Sequence, residues 1–407
     1  MQTDVLVVGA GPAGSATAAA LAQAGFAVLL ADQKTFPRDK PCGEFLSPEC
    51  LPYLEALGAA DAVQALGPRL VRGMHLHCGE RRALGRFLQI GDRPVSTRTG
   101  FGIRRKTFDH ALVAHAMAAG VQFLPGHACR GPRRAADGRV VGAELVAADG
   151  HAVPVTARWV VAADGVRSPL ARALALSKPV RWLERLALVG HFRSVPASPY
   201  AEVHLLPQGF FAATAVDQEL FSVNLVLERE LWRGRSAADW DAFVQQHALR
   251  HAPRFAERLA QGQRIAPWRG CGPFAHRTKT AVVPGMALVG DAAGYIDPLT
   301  GEGIYFALCG ARHLSTAVAA ALHEPGRAAA ALDVYLAARR RELAPRLQAS
   351  AWLQRLLRWP ALVHGFVAAA ERWPAVADLV VTLTGDTIHP RDLRRPSFWR
   401  AFRAALS

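Results

Sequence analysis

Val5-Leu-Val-Val-Gly9-Ala-Gly11-Pro-Ala13-Gly14 is an apolar run that feeds directly into three glycines at GxGxxG spacing. A second apolar run, Phe26 to Ala31, ends at Asp32. Each part of this unit has a physical task. Gly9 permits a tight turn from strand to helix, Gly11 lets the backbone approach a pyrophosphate, and Gly14 lets helix and strand pack closely. Ala13 stands within the same turn. The helix N-terminus would face the phosphates, and an acid after the second strand can accept hydrogen bonds from a ribose. The pattern predicts strand, helix, strand over residues 4–35 and a dinucleotide site.

Two later segments add to it. Val160-Val-Ala-Ala-Asp164-Gly165 and Met286-Ala-Leu-Val-Gly290-Asp291-Ala-Ala-Gly294 are both apolar strands, ending in Asp-Gly and Gly-Asp. A simple NAD-binding domain needs neither. In this order, the three segments resemble the fingerprints of the FAD-containing monooxygenase and geranylgeranyl-reductase superfamily. The resemblance implies that the glycine turn holds the pyrophosphate, that the segment of Asp164 closes over the cofactor, and that Asp291 bonds the ribityl chain.

Phe36-Pro-Arg38-Asp-Lys40-Pro-Cys42-Gly43-Glu-Phe-Leu-Ser-Pro48 resembles the segment that follows the second strand in geranylgeranyl-reductase-like flavoproteins. There, Lys-x-Cys-Gly precedes a loop beside the isoalloxazine ring. Lys40, Cys42 and Gly43 are therefore assigned to the cofactor site, Gly43 for close backbone approach. Cys42 reads either as part of the active-site wall or as a small filler. No other side chain is a candidate for catalysis. Arg105, three residues before Phe108-Asp109, matches an arginine that contacts FAD in the family. Pro298, Gly301 and Gly303 belong to a loop before a helix whose N-terminus would face the flavin. The positive end of that helix would stabilise charge on reduced flavin by roughly 0.3–2 kcal/mol.

The chain of 407 residues is 51% hydrophobic, enough for two domains sharing one cofactor. Its formal charge of +15 is carried mostly by arginine. No interleaved aromatic and basic stripe of the RNA-binding kind accompanies it, so no nucleic-acid partner is expected. Six scattered cysteines without a CxxC pair argue against zinc and against a disulfide framework. His75 and His77 share a strand face without a third ligand in view, so no metal is expected. The N-terminal segment lacks a basic region and carries Asp4, so it is not expected to be a signal peptide. A cytoplasmic setting is expected, with the inner face of a membrane as an option.

The fold class read from this pattern is α/β: a Rossmann-like FAD-binding domain, an inserted antiparallel-sheet substrate domain and a helical C-terminal segment. The FAD-binding domain comprises residues 1–75, 98–179 and 281–330. The substrate domain takes residues 76–97 and 180–280, and residues 331–407 form the helical segment. Alternation in Leu220 to Leu227 places Phe221, Val223 and Leu225 on one face and Ser222 and Asn224 on the other. Substrate is expected between the flavin and this sheet, with His204 and Phe210 or Phe211 as walls. Ser236 and Asp239 resemble a capping box opening a helix that ends near Gly262.

The C-terminal segment allows two readings. Trp352, Leu353, Leu356, Leu357 and Trp359 beside Arg346, Arg355 and Arg358 suit a membrane surface. So do Phe398, Trp399 and Phe402 among Arg394, Arg395, Arg400 and Arg403. The same residues suit a helical cap packed on the protein's own core.

The resemblance covers residues 1 to 330 and implies an FAD-dependent oxidoreductase with NAD(P)H as reductant. Cys42-Gly43 and Gly301-Glu-Gly-Ile304 favour the reductase branch. The Pro-x-x-Tyr-x-Trp-x-Phe-Pro signature of archaeal-type reductases is missing from Gly209 to Val216, and the halogenase sequence Trp-x-Trp-x-Ile-Pro is absent. The leading expectation is an O2-using monooxygenase acting on a hydrophobic, aromatic or polyketide-like molecule. The alternatives are a C=C reductase of an isoprenoid or lipid, and a non-catalytic flavin-binding protein.

Overall fold

A computed structural model describes residues 1–88, 90 and 99–406. The expected substrate-domain segment 76–97 falls partly outside these residues. The first apolar run forms strand Gln2–Val8, buried from Val5 onward. It pairs in parallel with Val28–Ala31 on one side and Ala152–Ala162 on the other. Gln122–Leu124 and Met286–Leu288 extend this parallel sheet at its two ends. One long strand, Ala152–Ala162, thus serves both the expected hairpin with Val140–Val146 and the approach to Asp164. All strand C-termini of the parallel set point to the same edge, where an open α/β sheet binds its ligand.

Helix Gly303–His323 covers one face of this sheet. The periodic residues Ile304, Ala307, Leu308, Ala311, Leu314 and Val318 are all buried. Small residues of helix Pro12–Gln23 let the two helices approach. A Cβ on Gly290 would stand 2.8 Å from the Cβ of Ala13. No helix among the described residues is long and apolar enough to cross a membrane.

Among the described residues the second sheet has eight strands, in the order Gln263–Arg264, Arg185–Arg193, Leu220–Glu228, Gly209–Val216, Ala201–Leu206, Gly73–Cys78 and Arg81–Arg86, with Arg269–Cys271 also on Arg185–Arg193. It is antiparallel except where Ala201–Leu206 meets Gly73–Cys78, the junction between the two inserted segments. One face packs Leu188, Phe211, Val223 and Leu225 beneath Phe243, Phe255 and Trp268. The other face carries Leu76, Val203, Phe210 and Val226 toward Leu299, Phe274 and Phe366.

The helix expected from Ser236 to Gly262 is broken. Its capping box is present and helical turns of changing pitch run from Ala237 to His251, but the chain leaves the helix at Ala252 before a separate helix, Pro253–Leu259. Pro253 has no N–H for a continuing ladder, and Ala252 before it is held out of helical geometry (φ −140°, ψ 61°). The C-terminal segment is helical as expected. Helices Pro360–Arg372 and Pro374–Thr384 lie on strands Gly73–Cys78 and Arg81–Arg86. Asp378 fixes one of them by accepting from the Arg86 N–H at 2.7 Å and its guanidinium at 2.9 Å.

Candidate functional site

The three glycines of the first turn do different things. A Cβ on Gly9, at φ +101°, would stand 2.5 Å from the Ala163 carbonyl oxygen, and one on Gly14 would stand 1.8 Å from that of Gly9. Both are required by chain packing alone. Among the described residues, a Cβ on Gly11 would meet nothing closer than Nη2 of Arg105 and Nη2 of Arg38, each at 3.9 Å. Gly11 therefore borders open space lined by two guanidinium groups. The helix that begins after it has no side-chain cap among these residues, so its first N–H groups face this space.

Asp109 organises the cations. It accepts from Arg105 Nε at 2.6 Å and Nη2 at 2.7 Å, and it pairs with Arg38 Nη1 at 3.0 Å. Lys40 stands beside them, and burial followed by the Arg105 charge lowers its pKa, with Asp291 opposing. Three cations and free helix-terminal N–H groups suit a dianionic pyrophosphate. The sequence singled out Arg105 and Lys40, read Arg38 as a cofactor or surface charge and Asp109 as a cap or structural partner; that Arg38 and Asp109 pair with each other has no local signature.

The two acids of the fingerprints differ in occupation. Asp32 Oδ2 accepts from the Ala10 N–H and Oδ1 from the Lys34 N–H, both at 2.8 Å, so this carboxylate ties the glycine turn to the second strand. Its remaining lone pairs are what a ribose would use. Asp291 lies in the short turn Gly290–Ala293 at the end of strand Met286–Leu288, facing Lys40. Asp164 precedes Gly165, at φ +81°, and burial pushes its carboxyl up to about 6.

The loop Asp297 to Gly303 is braced from three sides. Asp297 Oδ1 accepts from the Leu299 N–H at 3.0 Å and from Gln354 Nε2 at 2.9 Å, while Oδ2 pairs with Arg185 at 3.4 Å. Burial raises the Asp297 pKa to about 6, against the pull of Arg185. Pro298 starts a single turn that ends at Gly301, whose φ of +71° and close neighbour Phe45 both require glycine. Gly303 is the first residue of the long helix, again without a side-chain cap among the described residues. Glu302 points the other way, into a buried cluster with Arg346 and Asp386.

Cys42 is half-buried, with its Sγ 3.4 Å from the Glu44 N–H. No described atom lies within 4 Å of where a Cβ on Gly43 would be. Glu44 was not singled out by the sequence. It is buried at φ +56°, accepts from the Arg105 N–H at 3.1 Å, and reaches His191 Nε2 at 2.6 Å. This pair joins the cofactor half to the inner face of the second sheet.

That inner face has a definite grain. Cys271, Ala187, Val226, Phe210 and Leu205 form one lateral row. Val189, Asn224, Ala212 and Val203 form the next, and His191, Ser222 and Thr214 a third. The first row is apolar and the third polar, with Asn224 Nδ2 reaching Ser222 Oγ at 3.4 Å.

Of the expected substrate walls, Phe210 and Phe211 are alternatives on opposite faces of the sheet, and His204 falls on the face of Phe211. Phe210 lies on the inner face, 5.9 Å from the Arg185 guanidinium. Phe211 packs on the outer face against Phe255. His204 pairs with Phe211 across the strands and stacks on Phe255 at 4.3 Å, so it too is an outer-face residue. Period-two alternation is the reason. The strand face shared by His75 and His77 is not left to solvent: helix Pro253–Leu259 borders it through Phe255 and Arg258. There, His77 and, from the neighbouring strand Ala201–Leu206, Glu202 and His204 place ligand-type atoms within 4.8 Å of one another. Glu202 is already engaged by Arg258 at 2.5 Å and His204 at 3.0 Å. Burial opposes its charge, but these two partners bring its pKa down to about 2.

The residues around Gly11, Lys40, Asp291 and Gly303 fit an FAD molecule: cations and N–H groups for its pyrophosphate, a carboxylate for its ribityl hydroxyls, and a helix N-terminus for its ring. Comparison with known proteins agrees. The family described as an FAD binding domain matches residues 2–350. Digeranylgeranylglycerophospholipid reductase 2 of Methanopyrus kandleri is 30% identical over 347 residues, covering 82% of this chain and 81% of that protein. Tryptophan 2-halogenase of Chondromyces crocatus is 28% identical over 316 residues, or 75% of this chain; the match spans only 59% of the halogenase. Among solved structures, the flavin-dependent brominase Bmp2 superposes with a TM-score of 0.80 at 19% identity, covering 100% of this chain and 98% of that one. PqsL of P. aeruginosa, in complex with 2-aminobenzoylacetate, gives 0.71 at 19% identity, covering 90% and 99%. These two likenesses concern the fold.

Proposed function

The chain belongs to the FAD binding domain family, and from that premise we propose that it is an FAD-dependent monooxygenase that hydroxylates a hydrophobic aromatic or polyketide-like compound, with NAD(P)H as reductant. The observation that carries this reading is the split inner face of the sheet. An apolar row of Ala187, Val226, Phe210 and Leu205 lies two residues along each strand from the row of Asn224, and four from that of His191, Ser222 and Thr214. Such a wall suits a molecule with an apolar body and oxygen functions at one end, whereas a saturable polyprenyl chain asks for apolar contact throughout.

Bound FAD would supply the redox chemistry, taking reducing equivalents from NAD(P)H and passing them to O2. The chain's own residues bind and orient. Arg38, Arg105 and Lys40 fix the pyrophosphate, Asp291 the ribityl chain, and the loop Asp297–Gly303 the ring edge. The apolar row and Leu299 exclude water from the reacting centre. His191 Nε2, 2.6 Å from Glu44 Oε2, can hold or accept a proton from a substrate hydroxyl that reaches the polar row.

A second reading, reduction of a C=C bond in an isoprenoid or lipid, is favoured by the identity to the archaeal reductase over four fifths of the chain and by Lys40-Pro-Cys42-Gly43. Product mass after turnover separates the two. A gain of one oxygen with matching O2 uptake supports hydroxylation. A gain of two hydrogens under anaerobic conditions overturns it in favour of reduction.

A further inference from the structure

The C-terminal helices cap the second sheet, yet one corner of the cap is apolar and uncovered. Trp352 and Trp359 are each 65% exposed, Leu356 52% and Leu362 55%. They succeed one another along the outer side of helix Ala344–Leu356 and into helix Pro360–Arg372. The other aromatic run of the C-terminus is only partly exposed: Phe398 and Phe402 are buried with Ile388 while Trp399 is exposed, and Arg346 is an interior residue. Trp373 is exposed too, but Trp352, Leu356, Trp359 and Leu362 are the exposed residues that follow one another closely along the chain.

The corner is also strongly basic. Arg355 lies over the Trp182 ring at 4.4 Å and over Trp352 at 5.3 Å, and Arg358 over Trp182 at 5.5 Å. Lys178, Arg181 and Arg277 line the adjoining groove with Trp182 and Arg355. Against these five cations stands Glu228, 3.8 Å from Arg358; Glu184 and Glu230 nearby are paired with Arg229 and Arg233. A groove of about 460 Å³ between Trp182 and Trp359 opens on the patch. A second, of about 370 Å³, shares Arg358 with it and runs past Leu357 and Val363 to Arg185 and Leu205. Arg185 is the residue that holds Asp297 of the flavin loop and stands beside the Phe210 ring.

We propose that this corner docks the enzyme on an anionic lipid bilayer, with Trp352, Leu356, Trp359 and Leu362 in the headgroup boundary and Lys178, Arg181, Arg277 and Arg355 against lipid phosphates. Tryptophan favours that boundary because its ring is apolar and its N–H polar, and guanidinium groups bind phosphate. A second copy of the chain is a poorer occupant, since five like charges would face five. The groove at Arg358 would then connect the bilayer to the inner face of the sheet, a connection that rests on the hydrophobic substrate proposed above; the docking itself does not.

Cosedimentation with vesicles of phosphatidylglycerol and phosphatidylcholine, against phosphatidylcholine alone, tests this without turnover. The holoenzyme is expected to partition about tenfold more into the anionic vesicles at low salt and to lose most of that preference at high salt. Trp352→Ala with Trp359→Ala, and separately Arg355→Glu with Arg181→Glu, should each reduce partitioning by about tenfold while FAD content and melting temperature stay unchanged. Equal partitioning of wild type and both variants overturns the proposal. So does absence of binding at low salt, and so does self-association that the tryptophan variant abolishes without vesicles. Because no readout uses activity, a failure here leaves the hydroxylation reading to its own experiment.

Discussion

The two faces of the second sheet are made from the same strands and have opposite characters. The outer face, roofed by the turns and helix of residues 237–259, is finished: Phe211, Val223 and Leu225 are packed, and Glu202 has its charge met by Arg258 and His204. The inner face is unfinished. It mixes an apolar row with His191, Ser222, Thr214 and Asn224. Among the described residues, only His191 of these has a carboxylate partner, supplied by the other half of the molecule. The inner polar side chains bond to near neighbours, Asn224 donating to the Ala212 carbonyl and Ser222 Oγ, and Thr214 to the Ala215 carbonyl, whereas the outer face pairs a carboxylate with an arginine of the helix that covers it. Neighbouring residues such as Phe210 and Phe211 therefore belong to different arguments.

The sharpest separation comes from removing the cofactor and leaving both faces intact. Gly11→Val should abolish FAD retention in a folded protein, because the added methyls enter the space between Arg38 and Arg105 rather than meeting backbone. Flavin absorbance of the purified variant, with circular dichroism as a control, reads this. Full FAD content would remove the pyrophosphate from that space.

Phe211→Ala should destabilise the fold by about 3–5 kcal/mol, as expected of a fully packed core aromatic, with substrate KM unchanged. Phe210→Leu should instead raise KM by about tenfold with FAD content intact. Urea denaturation and steady-state kinetics on both variants measure the contrast; equal effects of the two on KM would erase the distinction between the faces.

The outer face should also be acid-sensitive. Burial, then the Arg82 charge, lowers His75 to about 4, and burial, then His204, lowers His77 to about 3. In the unfolded chain both groups take up protons near 6.5, so the unfolded state binds more protons as pH falls below that value and stability drops toward pH 4. Discounted for solvent screening, the loss between pH 7 and pH 5 should be on the order of 2 kcal/mol. His75→Asn with His77→Asn should flatten it, as read by urea midpoints at the two pH values. Glu202, held near 2, keeps its stabilisation through this window and loses it only at lower pH.

The smallest effects belong to the polar row. Ser222→Ala and Thr214→Val should each change substrate affinity by about twofold to fivefold and leave FAD binding and stability alone. Isothermal titration of substrate into the oxidised holoenzyme checks it. No change at either position would move the substrate's polar end elsewhere.

The cofactor half is legible in the sequence because its requirements are local. Gly9, Gly11 and Gly14 answer to one turn that spacing exposes, and Asp291 and Gly301 stand at the ends of single elements, where short motifs carry the family resemblance. The inner face is half legible. Alternation separates Ser222 and Asn224 from Phe221, Val223 and Leu225, yet no local pattern says which face a flavin sees. His204 is misplaced for that reason. Glu44 with His191, and Glu302 with Arg346 and Asp386, escape altogether, and Arg38 and Asp109 are read singly but not as partners, because each group joins residues whose proximity is created only by the folded chain. The helix expected from Ser236 overruns because its cap marks a start, whereas the stop is set by Pro253.

Among the described residues, the second sheet has a single parallel pairing, Met74 beside Ala201, which joins segments far apart along the chain. Between them lies the whole of Arg105–Ala118 and the long strand of the first sheet. The second sheet is consequently not a module: it cannot be excised or grafted as one stretch, because its seam joins segments that the nucleotide half separates along the chain. Pairings of this kind raise the contact order. FAD binding, by favouring the folded nucleotide half, would therefore stabilise the second sheet as well.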